Sequence, residues 1–430
     1  MKASRFLKKH SIEIGHRVRV KVHGNEFVGY VLPSHDFLEL KLDNGYNAGF
    51  NPALIEKIEV LSKGRKPIKP KVAKLEQNHS LPLVTIVHTG GTIASRVDYT
   101  TGGVSPSFEA SDLINSVPEL LGIAQIKSFL FSNIFSEDMR FEHYSKLARA
   151  LKHELEGNAK GIIVTHGTDT MHYTASALSF IFENLPKPIV FVGAQRSSDR
   201  PSSDAALNLI NAVRFIANTD FAGVAICMHA NINDNKCHIL PGTKVRKLHS
   251  SRRDAFKAVN AKPIAEVSAQ GINYLSNYPK RVSGKLKIYD KFEEKVAILK
   301  ARPNMLAEEI EFFEKEKYKG LIIEGTGLGH LGITAGGNRE NFKALKSLID
   351  SGCVVCITTQ CIFGTVNPNV YTTGRKLKNL GVIFLGDMLS ETAFIKLSWL
   401  LGNFGREKAI KLMPQNLRGE LNAKRTLEFL

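Results

Sequence analysis

The chain has 430 residues, 43% of them hydrophobic, a formal net charge of +17 at pH 7 and five cysteines. That length supports more than one hydrophobic core, so two or three domains are expected. No apolar run reaches the roughly eighteen residues of a membrane span, and the basic start MKASRFLKKHSIEIG lacks the apolar stretch of a secretion signal. A soluble, cytoplasmic protein with no membrane role is expected, and an odd cysteine count without a signal argues against a disulfide framework. The positive excess creates a field that attracts nucleic acid or other acidic partners without identifying one, and it serves solubility equally well.

In chain order, residues 12–60 alternate short β-like runs with turn signals. Val18, Val20 and Val22 alternate with polar residues, and Asn44-Gly45 reads as a hairpin turn. Residues 1–62 are therefore expected to form a small SH3-like all-β barrel. Residues 63–82 read as a linker in which Lys63, Arg65, Lys66, Lys69, Lys71 and Lys74 occur with no acid among them, a segment able to touch a phosphate backbone.

From Leu83 the texture changes to apolar, β-branched runs separated by helical patterns, the mark of a mostly parallel α/β sheet. The strand candidates are VTIVHT, GIIVTH, PIVFVGA, GVAICMH, GLIIEGT, VVCITTQ and GVIFLGD. Between them, EHYSKLARALKHELEG, MHYTASALSFIFENL and DAALNLINAVRFIAN read as helices; in the last, Ala206, Leu209, Val213 and Ile216 recur at helical spacing. A hydrophilic stretch around residues 275–292 divides two such regions, giving domains 83–283 and 284–430.

Ligands of open α/β sheets collect at the carboxyl ends of the strands. The first strand runs into HTGGTIAS, where glycines permit close backbone approach and Thr92 presents a hydroxyl. A second segment, THGTDTMHYTA, leaves its strand at Thr165 and enters a helix near Met171, so Thr168 and Asp169 lie beside helix N-terminal amides suited to an oxyanion. Alone, TGGT is equally a tight turn and Asp169 a helix cap. Their joint occurrence, in order and with a basic residue further on in VRKLHSSRRDAF, points to a site.

HTGGTIAS followed by DYTTGG, then THGTDTMHYTASAL and VFVGAQR, resembles the bacterial-type L-asparaginase family over residues 83 to 430. The resemblance implies a two-domain, asparaginase-like parallel-sheet core. It implies Thr92 as nucleophile assisted by Tyr99, with Thr168, Asp169 and Lys247 forming the catalytic group. Ser136, in FSEDM, stands where the family carries a substrate-gripping serine, and Glu137 replaces the usual glutamine. Gly91 and Gly167, inside the two motifs, join Tyr99 and Ser136 as substrate-binding positions. A threonine hydroxyl is a weak nucleophile that must lose its proton as it attacks, and a lysine accepts that proton only when neutral. Desolvation would favour neutral Lys247, and the charge of Asp169 would oppose it. The expectation is that Thr92 forms the acyl-enzyme while Thr168, Asp169 and Lys247 handle protons and water; residues alone do not choose between Thr92 and Thr168 as acyl acceptor.

The N-terminal module, the basic linker and GTKVRKLHSSRRDAFKAVN extend the likeness to the family of archaeal tRNA-dependent amidotransferase D subunits, which act on glutamyl-tRNA(Gln). That likeness implies a glutaminase that supplies ammonia to a separate E subunit of the amidotransferase, with Glu-tRNA(Gln) held mainly by the partner and a homodimer within a heterotetramer. ATP and Mg²⁺ are expected to belong to the partner, because this chain has no G-x-x-x-x-G-K-[ST] loop and no obvious carboxylate cluster for Mg²⁺; no cofactor and no metal is expected here. The alternatives are a free-standing L-asparaginase with an accessory domain, acting on glutamine or asparagine, and an inactive RNA-binding scaffold. GLGHLG at 327–332 fits a dinucleotide pattern without the acidic residue that would complete it. Cys353, Cys356, Cys361 and Cys237-His238 are read as structural, as are His88 and His166.

Overall fold

The computed structural model describes residues 3–34, 36–43, 47–63, 77–90, 95–97, 104–106, 117–196 and 202–424. A short helix, α1 (Ala3–Lys9), precedes five antiparallel strands: β1 (Arg17–Val22), β2 (Asn25–Val31), β3 (Leu38–Leu42), β4 (Asn47–Phe50) and β5 (Ile55–Ser62), in spatial order β4-β3-β2-β1-β5. The alternation in β1 has the expected consequence: Val18 and Val20 are buried and pack with Val31, Leu38, Leu40 and Phe50 into one core, which Phe6 of α1 completes. The Asn44-Gly45 turn and residues 64–76 of the basic segment lie outside the described residues.

The first α/β domain contains β6 (Leu83–His88), the small hairpin β7 (Ser95–Val97) and β8 (Val104–Pro106), and β9 (Gln125–Leu130). It continues with α2 (Phe141–Glu156), β10 (Gly161–Thr165), α3 (Met171–Ile181), β11 (Phe182–Glu183), β12 (Ile189–Val192) and α4 (Ala205–Asn218). It ends with β13 (Val224–His229), β14 (Lys236–Pro241), the hairpin β15 (Val245–Lys247) and β16 (Phe256–Ala258), then β17 (Ala265–Ser268) and β18 (Gly271–Tyr274). Eight of these strands form one sheet in the order β18-β17-β14-β13-β12-β10-β6-β9.

Neighbours from β13 to β9 are parallel, whereas β14, β17 and β18 add on antiparallel. The parallel strands β6, β10, β12 and β13 are buried on both faces and so read as unbroken apolar runs, whereas the edge strand β9, QIKSFL, is partly exposed. The antiparallel extension is less uniform: in KCHILP, Lys236, His238 and Pro241 are partly exposed, and sequence texture did not separate it from loop.

The second domain contains β19 (Lys287–Ile288), which pairs with β11, followed by β20 (Val296–Lys300), α5 (Glu308–Lys315), β21 (Gly320–Gly325) and α6 (Asn338–Asp350). After these come β22 (Val354–Thr359), α7 (Thr372–Leu380), β23 (Ile383–Phe384) and the long α8 (Ser390–Leu412), and the sheet β20-β21-β22-β23 is parallel throughout. One hydrophobic cluster runs from Val164 and Leu178 of the first domain to Ile322, Leu397 and Trp399 of the second, with Trp399 stacked on Phe180 at 5.5 Å. GLGHLG forms a tight turn closed by a Thr326–His330 bridge, and no helix opens at it, so the phosphate-facing geometry of a dinucleotide site is missing. Cys353 and Cys356 are buried, and burial pushes the Cys353 thiol up to about 12.

Candidate active site

The carboxyl ends of β6, β9 and β10 converge because these three strands are adjacent and parallel. At the end of β6, Thr89 donates from its amide and its hydroxyl to the Thr165 carbonyl, at 3.1 and 2.9 Å. His88 Nδ1 lies 2.9 Å from Thr165 Oγ1. These bonds hold the two motif-bearing turns side by side. Thr92, Gly91 and Tyr99 lie outside the described residues.

After β10 the chain passes through Gly167, Thr168 and Asp169 before α3 begins at Met171. Gly167 is required by close approach: a Cβ there would sit 2.8 Å from the Ser136 Cβ and 2.9 Å from its Oγ. Ser136 is buried at the start of a short 3₁₀ turn after β9, and its carbonyl accepts the Thr170 hydroxyl at 2.5 Å. Its own hydroxyl faces Glu137 Oε2 at 3.4 Å. The substitution noted at Glu137 therefore places an acid beside the serine.

Lys247 reaches this turn from β15, outside the main sheet, where it pairs with Phe256 of β16. Its ammonium donates to Thr168 Oγ1 at 2.9 Å and to Asp169 Oδ1 at 2.8 Å, while its side chain is only 9% exposed. A hydroxyl that accepts from an ammonium keeps its own proton free to donate. Both distances lie within the reach needed for proton transfer between a nucleophile or water, a base and an orienting acid. The structure thus brings Ser136, Gly167, Thr168, Asp169 and Lys247 to one place.

The surrounding histidines are neutral. His166 has Nδ1 2.7 Å from the Gly167 carbonyl and Nε2 2.9 Å from Thr174 Oγ1, and burial lowers its pKa to about 4. Burial lowers His88 to about 4 as well. His172, on the first turn of α3, is lowered to about 3, by burial first and then by the charges of Arg246 and Lys247.

Sequence reasoning missed Arg246, which turns away from Lys247 to pair with the buried Glu391 of α8 at 2.9 Å and so ties the Lys247 strand to the second domain. It also missed Asp204, fully buried, whose carboxylate accepts the Gln195 and Arg196 amides after VFVGAQR. An aspartate shortly after a strand-ending glycine is a weak signal, and nothing local marked Glu391. Among the described residues no group of three or more His, Cys, Asp or Glu side chains is placed to hold a metal ion. A cavity of about 770 Å³, lined by Phe182, Phe221, Pro241 and Arg418, lies at the opposite end of the sheet.

Fold and site together define an asparaginase-type α/β protein with an added N-terminal all-β module. Residues 83–280 match the asparaginase N-terminal domain family, residues 295–413 the glutaminase/asparaginase C-terminal domain family and residues 12–61 the GatD N-terminal domain family. Among solved structures, the thermostable L-asparaginase from Thermococcus kodakarensis superposes with a TM-score of 0.71 at 29% identity, covering 80% of this chain and all of that one. L-asparaginase I from Vibrio cholerae gives 0.69 at 29% identity, covering 80% and 99%. Over its whole length the chain is 48% identical to the D subunit of the glutamyl-tRNA(Gln) amidotransferase of Pyrococcus furiosus, covering 98% of each. It is 47% identical to that of Methanococcus maripaludis strain C6, covering 97% and 100%. The chain belongs to the family of glutamyl-tRNA(Gln) amidotransferase D subunits.

Proposed function

We propose that this chain is the glutaminase component of the amidotransferase that converts Glu-tRNA(Gln) to Gln-tRNA(Gln). The observation that carries the reading is the Lys247–Thr168–Asp169 cluster at the strand ends, in a chain that also bears the N-terminal module of the D-subunit relatives. The Thr92 oxygen attacks the side-chain amide carbon of glutamine, the C–N bond breaks, and nitrogen leaves as ammonia carrying an added proton. Water then attacks the acyl ester, and Thr92 regains its hydroxyl proton as the carboxylic acid departs. Thr168 and Lys247 relay these protons, Asp169 orients Lys247, and Ser136 with the Gly167 backbone grips the substrate, with Tyr99 assisting Thr92.

Ammonia passes to a partner, the E subunit of the amidotransferase, which activates the tRNA-borne glutamate with ATP and Mg²⁺ and makes most of the tRNA contacts. A homodimer of this chain sits within a heterotetramer in the cytoplasm; no helix among the described residues is long and apolar enough to cross a membrane. Ammonia release from glutamine and asparagine by the chain alone, and with its E partner, ATP, Mg²⁺ and Glu-tRNA(Gln), tests the reading. Partner-dependent glutamine hydrolysis is expected, whereas vigorous asparagine hydrolysis without a partner would make this a free-standing asparaginase.

A further inference from the structure

Thr168 and Lys247 stand on different supports. The first follows β10 of the main sheet, the second sits on a hairpin of only three paired residues per strand. A catalytic hydrogen bond between them needs those supports held to a fraction of an ångström. A chain of contacts, buried at Asn208 and His229, runs from one support to the other.

It begins at Gly193, which packs on Thr168: a Cβ on Gly193 would lie 2.7 Å from Thr168 Cγ2. The Gly193 carbonyl accepts from Asn208 Nδ2 at 3.0 Å, and the same nitrogen donates to Asp204 Oδ2 at 3.2 Å. Two acceptors on one side of the amide fix its orientation, so Asn208 Oδ1 is the atom 2.6 Å from His229 Nδ1, and that ring nitrogen carries a proton. The other nitrogen, Nε2, lies 3.2 Å from Asp234 Oδ1. A carboxylate only accepts, so Nε2 carries a proton too.

Asp234 Oδ1 also accepts from Arg253 at 2.5 Å, and Arg253 reaches back to the Ile232 carbonyl. Arg253 belongs to the connection between β15 and β16, three positions before the Phe256 that pairs with Lys247. A second tie runs beside it, from Lys257 of β16 to the Ala230 carbonyl, one residue beyond His229, at 2.9 Å.

We infer that His229, held as an imidazolium between Asn208 and Asp234, is a positioning residue that fixes the Lys247 hairpin against the Thr168 turn. This rests on the proposed role of Thr168 and Lys247. The groups facing the ring are Asn208 of α4, Asp204 at the N-cap of that helix, Cys237 of β14 and Asp234 of the β13–β14 loop, with Arg253 behind Asp234. Burial alone would lower the imidazole pKa, and the bonds to Cys237 and Asp234 together with the Asp204 charge hold it above its ordinary value. Above that pKa the ring loses one donor and Asp234 loses its bond to His229, so the hairpin is held less firmly, by the Arg253–Ile232 and Lys257–Ala230 ties. Activity therefore falls on the alkaline side for a reason remote from the reacting atoms.

The test uses the full chain with its partner subunit and two variants, Asp234→Asn, at a half-exposed position, and His229→Gln. A drop in kcat of roughly tenfold to a hundredfold with KM within twofold is expected, as for a sub-ångström misplacement. In Asp234→Asn the alkaline limb of the kcat profile should also move to lower pH. Folded variants with wild-type kcat and an unmoved limb would overturn the inference. Ring-nitrogen chemical shifts of labelled histidine, assigned by the His229→Gln difference, give a readout without turnover: two protonated nitrogens at pH 7 are expected, and a neutral ring overturns it. If wild type fails to hydrolyse glutamine while the ring is doubly protonated, the proposed function fails and the network stands.

Discussion

Lys247 and Lys396 are both withdrawn from water, their side chains 9% and 0% exposed, but their surroundings differ in kind. Lys396, on α8, places Nζ 2.6 Å from Glu420 and donates to the carbonyls of Met413 and Gln415 at 3.1 and 2.5 Å. Glu420 in turn accepts the amides of Leu417 and Arg418. Every ammonium proton has a partner and the pair is closed. Lys247 bonds to a hydroxyl and to an acid that is 67% exposed, and among the described residues its third ammonium proton meets no acceptor. A fully saturated buried cation fastens chain segments together, whereas one paired with a hydroxyl and a wet carboxylate is placed to exchange a proton.

Breaking each lysine separates the two roles. Lys247→Met should lower kcat/KM for glutamine by about 10³-fold, the usual reach of a lost proton-transfer group, while leaving the unfolding midpoint near wild type. Thr92→Ala should remove hydrolysis as completely, and substantial residual turnover in either variant would refute its assignment. Glu420→Gln leaves the Lys396 charge without a counter-ion in a dry site, so it should cost about 3–5 kcal/mol in denaturant unfolding with little change in turnover per folded molecule. A loss under about 1 kcal/mol would mean that water reaches the seam.

The three neutral histidines around the site give the next effect. His88 and His166 sit at about 4 and His172 at about 3, all below their unfolded value. As pH falls below about 6.5 the unfolded chain takes up protons at these positions and the folded chain does not, so stability falls with acidification down to the folded pKa values. A loss of roughly a few kcal/mol between pH 7 and pH 4.5 is expected from urea unfolding at a series of pH values. A flat profile over that interval would contradict neutral, buried imidazoles.

How much of this was written locally in the chain follows from the physics of each element. Strands such as GIIVT are buried on both faces and announce themselves as apolar runs, and α2 and α4 carry their periodicity openly. The turn bearing Thr168 was legible because polar residues follow its strand directly, whereas Thr92 lies outside the described residues. By contrast, β15 and β16 are three residues each, and their pairing depends on Arg253 and Lys257 reaching the loop after β13. The partners Arg246 and Glu391, or Lys396 and Glu420, meet only once the two domains have packed, and no local pattern encodes that meeting. The helix α1 went unread because seven residues with two buried apolar side chains are too few to show a period.

The smallest expected effect sharpens the contrast between the two lysines. Asp169 is exposed, and an exposed ion pair contributes within about 1 kcal/mol, because water solvates both charges nearly as well as they solvate each other. Asp169→Asn keeps the side chain's shape and an oxygen for Lys247 to meet, so thermal unfolding should shift by about 2 °C or less for a chain of this size. The same substitution weakens the carboxylate bond that orients the Lys247 ammonium toward Thr168, so turnover of glutamine should fall. A nearly unmoved unfolding midpoint with a reduced kcat is expected. If Asp169→Asn instead destabilised the chain as strongly as Glu420→Gln, the acid would belong with the fastening pair, and Lys247 would need another group to orient it.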